Sequence, residues 1–395
     1  MSLDNGKPDL RDPIVIVGGG LAGQRCAETL RREGYDGRVR MVCAEAQRPY
    51  DRPPLSKQLL LGSVTTESIA YRPQAWYERE EVDLLLGVRA TRLRPDERRL
   101  LLSDGRSLRY GRLLIATGSR PRTLPLLAGY DNVSFLRTVD EAVRLRDALA
   151  RRPRLAVIGA GFIGQEVAAS ARAVDAQVTM VEAAPCPLMS VIGPRLGAWF
   201  ARLHRAEGVE VLTGCTVERV EGKQHVDRLH LSTGRALEVD HIVLGVGVRS
   251  EIDWLAGSGL ENGNGIPVDP AGRTRIDGIL AAGDAAATFD PAFGVHVPGS
   301  HWEAAARQGA CAARTMLGLA PGPPCLTSFW TDQYGIRIQY LGPAQAADSV
   351  RIEGEPAARR FTATFMRAGR PVAALLVDRP RALPAFRDLI QKGSP

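Results

Sequence analysis

The amino-acid sequence predicts an α/β fold in which two doubly wound domains are followed by a small α+β domain at the C-terminal end. The main observation is an internal repeat, because the segment IVIVGGGLAG at 14–23 returns as LAVIGAGFIG at 155–164. Each copy passes from a short apolar run into glycines and then into a helical pattern, which indicates strand, tight turn and helix. A chain of 395 residues is also long enough for two or three separate cores.

Both repeats continue in the way that a doubly wound domain requires. A second apolar strand ends at an acidic residue, and a later Gly-bounded strand closes the domain where the chain crosses to its neighbour. The predicted helices are Gln24–Arg32 and Gln165–Val174, the second strands Val39–Cys43 and Gln177–Val181, and the closing strands Leu113–Gly118 and Ile242–Gly247. A strand at Ile279–Ala282 and a long helix at Trp302–Leu317 then return the chain to the first domain.

The last part of the chain has a different pattern. The Pro/Gly segment Ala320–Pro324 indicates a linker. Beyond it we predict four strands and a helix, at Gly335–Leu341, Val350–Gly354, Arg360–Arg367, Val372–Asp378 and Ala385–Gln391. The expected domains are therefore a discontinuous first domain of residues 1–119 and 247–325, a middle domain of residues 120–246, and a C-terminal domain of residues 326–395.

Composition and cysteine spacing exclude several classes of protein. The six cysteines are scattered singly, without a CxxC pair or a histidine at metal-ligand spacing, so neither a disulphide framework nor a metal site is expected. No apolar run approaches the roughly 18 residues needed to cross a bilayer. The opening segment MSLDNGKPDLRDP contains acidic residues and no apolar core, which does not fit a secretory signal. These features predict a cytoplasmic protein with no membrane segment.

The basic charge of the chain is concentrated near its end. The formal net charge is +7, and the residues from Leu326 onward hold ten Lys and Arg against six Asp and Glu. A basic surface suits an acidic protein, a nucleic acid or an anionic membrane, or it is simply an Arg-rich surface. Because the chain has no long basic run and no nucleic-acid motif, a nucleic-acid partner is not expected.

The first repeat has the spacing of a dinucleotide-binding turn. Gly18, Gly20 and Gly23 satisfy G-x-G-x-x-G, which lets backbone N–H groups at a helix N-terminus approach a pyrophosphate. Glu45 follows about 20 residues later at the end of the second strand, where a carboxylate accepts hydrogen bonds from a ribose diol. The glycines together with this acidic residue predict a nucleotide site.

The second repeat predicts a second nucleotide site. Gly159, Gly161 and Gly164 have the same spacing, and Glu182 ends the following strand. A carboxylate at this position accepts the 2′-hydroxyl of NAD and repels a 2′-phosphate. No Arg or Lys occurs from residue 183 to residue 194 to reverse that preference, so NADH is favoured over NADPH.

Two nucleotide sites in one chain suggest a flavin and a nicotinamide, because hydride passes directly between their stacked rings. The loop Arg48–Lys57, RPYDRPPLSK, resembles that of the reductases that serve aromatic-ring dioxygenases and haem monooxygenases, a family that includes rubredoxin reductases and is related to the apoptosis-inducing flavoproteins. The resemblance covers almost the whole chain, through LIATGSRP at 114–121, FLRT at 135–138, GVGVR at 245–249, AAGDA at 281–285 and FWTDQYG at 329–335. It implies two glutathione-reductase-type, Rossmann-like domains, with FAD in the first and NADH in the second.

The resemblance also implies roles for individual residues. Lys57 is implied to lie by the isoalloxazine, Glu166 to pair with Lys57 and border the nicotinamide, and Trp302 to cover the flavin edge that faces the electron acceptor. Besides the first glycines and Glu45, the implied FAD set includes Arg52, Ala116, Thr117, Gly118, Arg137, Thr138, Gly283 and Asp284, and the implied NAD set adds Gly247 to the second glycines and Glu182.

Simpler interpretations of the same residues remain open at this point. Lys57 follows Ser56, a good helix N-cap, and in the simpler interpretation it is a solvated lysine in the first turn of a helix. Glu166 is then a carboxylate that complements a helix dipole. Asp284 is then a helix N-cap, and Trp302 is a core aromatic residue.

Three functions are compatible with these patterns. The predicted one is a ferredoxin reductase, a monomer or homodimer in which hydride from NADH reduces FAD and single electrons pass to a small acidic 2Fe–2S ferredoxin that feeds an oxygenase. An NADH oxidase or disulphide reductase needs a redox cysteine by the flavin, whereas the loop holds Pro53–Ser56 and the nearest thiol in sequence is Cys43. A non-catalytic flavoprotein like the apoptosis-inducing relatives, binding DNA or another protein, is the third. The ferredoxin and the oxygenase belong to other chains, so this sequence does not identify them.

Overall fold

The computed structural model describes residues 13–260, 265–290, 295–298, 301–322, 326 and 328–393. Residues 1–12 of the opening segment, and Pro323 and Pro324 of the predicted linker, lie outside these residues. The chain divides into two units, of which the first comprises Met1–Asp51, Ile69–Arg120 and Arg249–Cys325, and the second Arg52–Ser68, Pro121–Val248 and Leu326–Pro395. The short strands Ser119–Pro121 and Val248–Ser250 contain two of the points at which the chain passes from one unit to the other. The three-domain division proposed above stays a prediction.

The first unit is built on a five-stranded parallel sheet. In spatial order its strands are Ile279–Ala281, Arg112–Ile115, Ile14–Val17, Val39–Cys43 and Val82–Leu86. The unit also contains a three-stranded sheet of Ala90–Arg94, Arg99–Leu102 and Ser107–Arg109, and another of Ile266–Val268, Ala286–Asp290 and Val295–Pro298. Its α-helices are Leu21–Arg32, Gln74–Arg79 and Trp302–Met316.

Both faces of this parallel sheet are buried, which explains the unbroken apolar run of its central strand. Val15 and Val17 pack into one core with Leu113. Ile14 and Ile16 point to the opposite face and pack into a second core. Successive side chains of a strand point to opposite faces of the sheet. When both faces are buried, apolar residues therefore occupy successive positions of the strand without an alternation of apolar and polar residues.

The second unit contains a second parallel sheet of five strands. In spatial order they are Glu210–Thr213, Gln177–Glu182, Arg154–Ile158, His241–Leu244 and Val133–Ser134. A three-stranded antiparallel sheet follows from Val217–Gly222, Val226–Leu231 and Ala236–Glu238. The helices of this part are Val139–Leu149, Phe162–Ala173 and Met189–Ala206. The last of these is kinked at Gly193, which has a φ of 73° and precedes Pro194.

The C-terminal residues add a five-stranded antiparallel sheet to the second unit. Its strands, in spatial order, are Ser328–Gln333, Ile336–Leu341, Arg370–Val377, Arg360–Arg367 and Ser349–Glu355. The helix Leu383–Gly393 packs beside it through Phe386 and Ile390. Short 3-10 turns complete the two units at Pro53–Ser56, Pro125–Leu127, Asp253–Leu255, Gly283–Ala285, Ala344–Ala346 and Pro380–Ala382.

The predicted fold class is confirmed, and the predicted elements differ from the observed ones mainly at their ends. Both helices after the glycine turns begin about three residues earlier than predicted, because the last glycine of each motif lies inside the first helical turn. The strand Ser328–Gln333 was not predicted, since its sequence SFWTDQ does not alternate cleanly between apolar and polar residues. Among the described residues, no helix has both the length and the apolar character needed to span a membrane.

Candidate functional site

The first glycine turn leaves open space at the start of a helix. Gly18 has a φ of +122°, and a Cβ there would lie 2.1 Å from the carbonyl oxygen of Ala116. A Cβ on Gly23 would lie 2.1 Å from the Gly18 oxygen, so this glycine permits close packing of helix and strand. Gly20 is the N-cap of the helix Leu21–Arg32, and a Cβ there would meet nothing within 4 Å. The turn therefore has room for a phosphate group in front of the first helical N–H groups.

The second glycine turn repeats this geometry. Gly159 has a φ of +100°, and its Cβ would lie 2.5 Å from the oxygen of Gly245. A Cβ on Gly164 would lie 2.2 Å from the Gly159 oxygen, whereas one on Gly161 would meet only the Gly245 oxygen at 3.8 Å. Gly20 and Gly161 are the N-cap residues of their helices and have no side chain, so neither can hydrogen-bond the first backbone N–H groups of its helix through a capping side chain.

The two acidic residues lie at the strand ends where the sequence predicted them. Glu45 follows the strand Val39–Cys43 and accepts a hydrogen bond from the hydroxyl of Tyr50. Glu182 ends its own strand and accepts from the backbone N–H of Ala160 at 2.6 Å and of Ala184 at 2.8 Å. Glu182 is therefore tied directly to the second glycine turn.

Both turns fit a dinucleotide. Each combines a strand, a glycine that no other residue type could replace, an open position at a helix N-terminus and an acidic side chain at the neighbouring strand end. Backbone N–H groups and the positive end of the helix dipole suit a pyrophosphate, and the carboxylate suits a ribose diol. The residues present therefore match the two dinucleotide cofactors predicted from the sequence.

The second unit also holds a buried ion pair, between Lys57 and Glu166. The Lys57 Nζ donates to the Glu166 Oε1 at 2.7 Å, and the two side chains are only 11% and 8% exposed. Lys57 follows the 3-10 turn Pro53–Ser56, and Glu166 lies in the second turn of the helix Phe162–Ala173. The structure thus brings together Lys57 and Glu166, which the resemblance implied to be a pair, and neither is a solvated surface charge.

Two hydroxyl groups complete the surroundings of Glu166. Ser56 donates to its Oε2, and Thr331 donates to its Oε1 at 2.7 Å. Thr331 is fully buried in the strand Ser328–Gln333, and Gln333 of that strand donates to the Thr331 oxygen at 3.1 Å. Sequence analysis gave Thr331 no role, because only its place in the FWTDQYG segment set it apart from other strand threonines.

Further predicted residues of the first unit follow two strands of its parallel sheet, Arg112–Ile115 and Ile279–Ala281. The carbonyl oxygen of Ala116 faces Gly18, the Thr117 hydroxyl donates to the backbone oxygen of Glu251 at 2.7 Å, and Gly118 has a φ of 74°. Gly283 has a φ of 70° and opens a 3-10 turn after the strand Ile279–Ala281.

Asp284 lies inside this 3-10 turn. Its Oδ2 accepts from the Ser119 hydroxyl at 2.6 Å, and its backbone oxygen accepts from the Ser250 hydroxyl at 2.7 Å. The N-cap of the turn is Ala282. The simpler interpretation of Asp284 as a helix cap therefore does not describe this geometry.

Trp302 is the first residue of the helix Trp302–Met316 and is half-buried. Its indole Nε1 donates to Asp51 Oδ1 at 2.7 Å, and the Tyr71 hydroxyl donates to the same oxygen at 3.1 Å. The indole is thus held at its polar edge by a carboxylate of the Arg48–Lys57 loop.

Arg52, Arg137 and Thr138, which were predicted to bind FAD, lie in the second unit with Lys57, whereas the other residues predicted to bind FAD lie in the first. Gly247, which was predicted to bind NAD, also lies in the second unit. Arg52 donates through its guanidinium to the backbone oxygen of Arg137. Thr138 caps the helix Val139–Leu149 in a capping box with Glu141, so it has a structural task of its own. Gly247 has a φ of 94°, and its backbone oxygen accepts from the N–H of Arg122 at 2.9 Å.

The described cysteines are free thiols, and Cys43 is the one nearest in sequence to the loop segment Pro53–Ser56. Its Sγ is the atom that a Cβ on Gly19 would approach, at 2.8 Å. Burial, with a smaller contribution from the carboxylate of Glu45, raises the pKa of the Cys43 thiol to about 12. A thiol of this kind is a poor nucleophile, because the reactive form is the thiolate. Within the described parts of the chain, no cluster of three potential metal ligands occurs.

Comparison with known proteins identifies the family. Residues 12–309 match the family described as pyridine nucleotide-disulphide oxidoreductase, and residues 328–395 match the family described as reductase C-terminal. The chain is 37% identical over 386 residues to the ferredoxin–NAD(+) reductase component of the anthranilate 1,2-dioxygenase system of Burkholderia cepacia, covering 97% of this chain and 95% of that protein. It is 34% identical over 376 residues to putidaredoxin reductase of Pseudomonas putida, covering 93% of this chain and 89% of that protein.

Solved structures agree with the sequence comparisons. The crystal structure of a covalent putidaredoxin reductase–putidaredoxin complex superimposes with a TM-score of 0.94 at 33% identity, over 97% of this chain and 94% of that one. The two glycine turns, their acidic partners and the C-terminal antiparallel sheet thus occur in a chain whose likeness to these reductases extends over nearly its whole length. This chain therefore belongs to the pyridine nucleotide-disulphide oxidoreductase family.

Proposed function

We propose that this chain is an FAD-dependent NADH:ferredoxin oxidoreductase that feeds electrons to a small acidic 2Fe–2S ferredoxin of an oxygenase system. The observation that carries the proposal is the pair of matching glycine turns, each with its acidic residue, in a chain that also buries the ion pair of Lys57 with Glu166. Relatives that match over nearly the full length are named as reductase components of this kind.

The two cofactors are assigned to the two turns in chain order. Gly18, Gly20, Gly23 and Glu45 hold FAD, and Gly159, Gly161, Gly164 and Glu182 hold NADH. Bound together, these cofactors supply hydride transfer from NADH to the flavin and the release of electrons one at a time. The further FAD contacts proposed are those implied by the resemblance: Arg52, Lys57, Ala116, Thr117, Gly118, Arg137, Thr138, Gly283, Asp284 and Trp302. Gly247 is proposed as a further NAD contact.

The ion pair sets the charge beside the flavin. In this proposal Lys57 lies by the isoalloxazine, and its ammonium favours the negative charge that reduction brings. Glu166, with its three donors, keeps the ammonium in one place and borders the nicotinamide. Such groups act by preorganised electrostatics and positioning, and the hydride step needs no general acid or base.

The remaining assignments concern the surface and the setting of the protein. Trp302 covers the flavin edge that faces the ferredoxin, and the basic C-terminal segment attracts the acidic partner, which raises the rate of encounter at low salt. We also propose the three domains expected from the sequence, of residues 1–119 with 247–325, of residues 120–246 and of residues 326–395. A cytoplasmic location accords with the free thiols of the described cysteines.

The decisive experiment is reduction of candidate 2Fe–2S ferredoxins by the purified yellow protein, with NADH and NADPH compared. We expect two ferredoxin molecules reduced per NADH and a clear preference for NADH. A colourless protein that cannot be reconstituted with FAD would refute the proposal.

Two controls separate the other functions. Rapid NADH-dependent oxygen consumption without ferredoxin would favour an oxidase. Tight, salt-dependent binding of duplex DNA together with negligible ferredoxin reduction would favour a non-catalytic flavoprotein.

A further inference from the structure

A histidine with no place in the proposed chemistry is buried in the second unit. His204 is 0% exposed and belongs to the last turn of the helix Met189–Ala206. Burial lowers the pKa of His204 to about 4, against a smaller opposing contribution from Gln333. The imidazole is therefore neutral at physiological pH, with one ring nitrogen that donates and one that accepts.

Both ring nitrogens have partners, and the partners determine the direction of the hydrogen bonds. The side-chain Nε2 of Gln165 donates to the backbone oxygen of Ala160 at 2.9 Å. Because a carbonyl can only accept, the Gln165 amide must turn its Oε1 toward His204 Nε2, at 3.1 Å. His204 Nε2 therefore carries the proton, and Nδ1 accepts from the Tyr334 hydroxyl at 2.7 Å.

The result is a one-way relay from Tyr334 through His204 and Gln165 to Ala160. Tyr334 lies between the strands Ser328–Gln333 and Ile336–Leu341 of the antiparallel sheet, with a φ of 53°. Ala160 lies between the first two glycines of the second turn. All four residues belong to the second unit.

The relay and Glu182 hold the same residue of the turn from two sides. The Ala160 carbonyl accepts from Gln165, and the Ala160 N–H donates to Glu182 Oε2. The peptide groups before and after the Ala160 Cα are each fixed by one of these hydrogen bonds, so the backbone at Ala160 has little freedom to rotate. The second of these peptide groups joins Ala160 to Gly161, the N-cap of the helix, and the orientation of Gly161 depends on it.

We propose that His204 is a positioning residue for the nicotinamide nucleotide, which acts through Gln165 and Ala160 to hold the second glycine turn in its binding conformation. The inference rests on the proposed function, because it needs NADH as the ligand of this turn. It makes the C-terminal antiparallel sheet, through Tyr334, a determinant of nucleotide affinity.

The competing explanation is a core histidine whose hydrogen bonds serve stability alone. The two explanations differ in what His204→Leu does to nucleotide affinity in protein that remains folded. Loss of the relay leaves the Gln165 amide free to turn, and we expect the Kd for NAD+ to rise about five-fold, the effect of one typical hydrogen bond. His204→Gln keeps a donor toward Gln165 and should restore part of the affinity.

His241 offers a matched control in the same unit. It is also a largely buried histidine, its pKa is likewise lowered to about 4 by burial, and its Nε2 lies 2.8 Å from the Ser134 hydroxyl. His241 begins a strand and takes no part in the relay. His241→Leu should lower the melting temperature without changing the Kd for NAD+.

The test uses the FAD-loaded protein and two readouts. Calorimetric titration with NAD+ measures affinity without turnover, and anaerobic reduction by NADH measures an apparent Kd and a limiting rate. We expect His204→Leu to raise the Kd for NAD+ and the apparent Kd for NADH about five-fold, while the limiting rate of flavin reduction changes less than about two-fold. Tyr334→Phe, which removes only a hydroxyl, should raise the Kd about three-fold and decides the question if His204→Leu does not fold.

The inference is overturned if His204→Leu and Tyr334→Phe bind NAD+ as well as the wild-type protein does, whatever their melting temperatures. It is also overturned if His241→Leu weakens binding as much as His204→Leu does. If the wild-type protein binds neither NAD+ nor NADH, the proposed function itself fails.

Discussion

Replacing Lys57 by methionine tests the ion pair at the centre of the proposed site. Methionine keeps an unbranched side chain of similar length but removes the ammonium. Glu166, whose side chain is 8% exposed, then keeps, among the described residues, the hydroxyl donors of Ser56 and Thr331. The substitution leaves a buried carboxylate without its cation.

The cost follows from the geometry. Breaking a buried ion pair by removing one partner costs about 3–5 kcal/mol, and the two remaining donors place this case near the lower end, at about 3 kcal/mol. In a domain of roughly 150–250 residues each kcal/mol lowers the Tm by about 2–4 °C, so a fall of roughly 6–12 °C is expected. The double variant Lys57→Met/Glu166→Gln removes both charges and should recover most of this loss.

The functional effect is measured on the same samples. FAD content should stay at the wild-type level, while the limiting rate of anaerobic flavin reduction by NADH falls at least about ten-fold, as expected when a cation beside developing negative charge is lost. The exposed Lys223 lies in the same unit, so Lys223→Met is the control and should change neither quantity. A Tm within about 2 °C of wild type, together with an unchanged reduction rate, would refute this account of Lys57.

Three further predictions follow from the site and its surroundings. Thr331→Val removes one donor to Glu166 and should lower the limiting rate of flavin reduction about five-fold with little change in the Kd for NADH. The control Thr362→Val, in the same sheet, should leave this rate unchanged, and equal effects of the two substitutions in stopped-flow assays would contradict the argument. Gly18→Ala places a Cβ against a backbone carbonyl and should yield protein without flavin. Gly159→Ala should keep the flavin spectrum and lose NAD+ binding in calorimetry. The assignment of FAD to the first turn and of NADH to the second fails if the two phenotypes are exchanged. Burial lowers the pKa of His204 from 6.5 to about 4 in the folded protein, so the contribution of neutral His204 to stability is complete above pH 6.5 and is lost as the pH falls toward 4, by up to roughly 3 kcal/mol. The Tm of the wild-type protein should therefore fall more steeply between pH 6.5 and pH 4 than the Tm of His204→Gln. Parallel curves of Tm against pH for the two proteins would contradict this account of His204.

Much of the fold was accessible from local sequence. The glycine turns were located correctly because a positive φ and close contacts with a neighbouring strand leave glycine as the only fitting residue at Gly18 and Gly159. Most of the parallel strands were visible as apolar runs because both of their faces are buried. Three others, Val82–Leu86, Val133–Ser134 and Glu210–Thr213, were not predicted. The strand Ser328–Gln333 was missed, since Thr331 and Gln333 are buried polar residues that break the apolar pattern of a strand.

The sequence by itself determined the two strand–turn–helix units and the acidic residues that follow them, because these features depend on backbone conformation and on neighbours close in the chain. Only the tertiary structure decided that Glu166 meets Ser56 and Lys57, more than 100 residues before it, and Thr331, 165 residues after it. The same holds for His204, whose partners come from a different helix and from the antiparallel sheet. Hydrogen bonds between side chains so distant in sequence leave no periodic pattern, and they form only when packing brings the elements together.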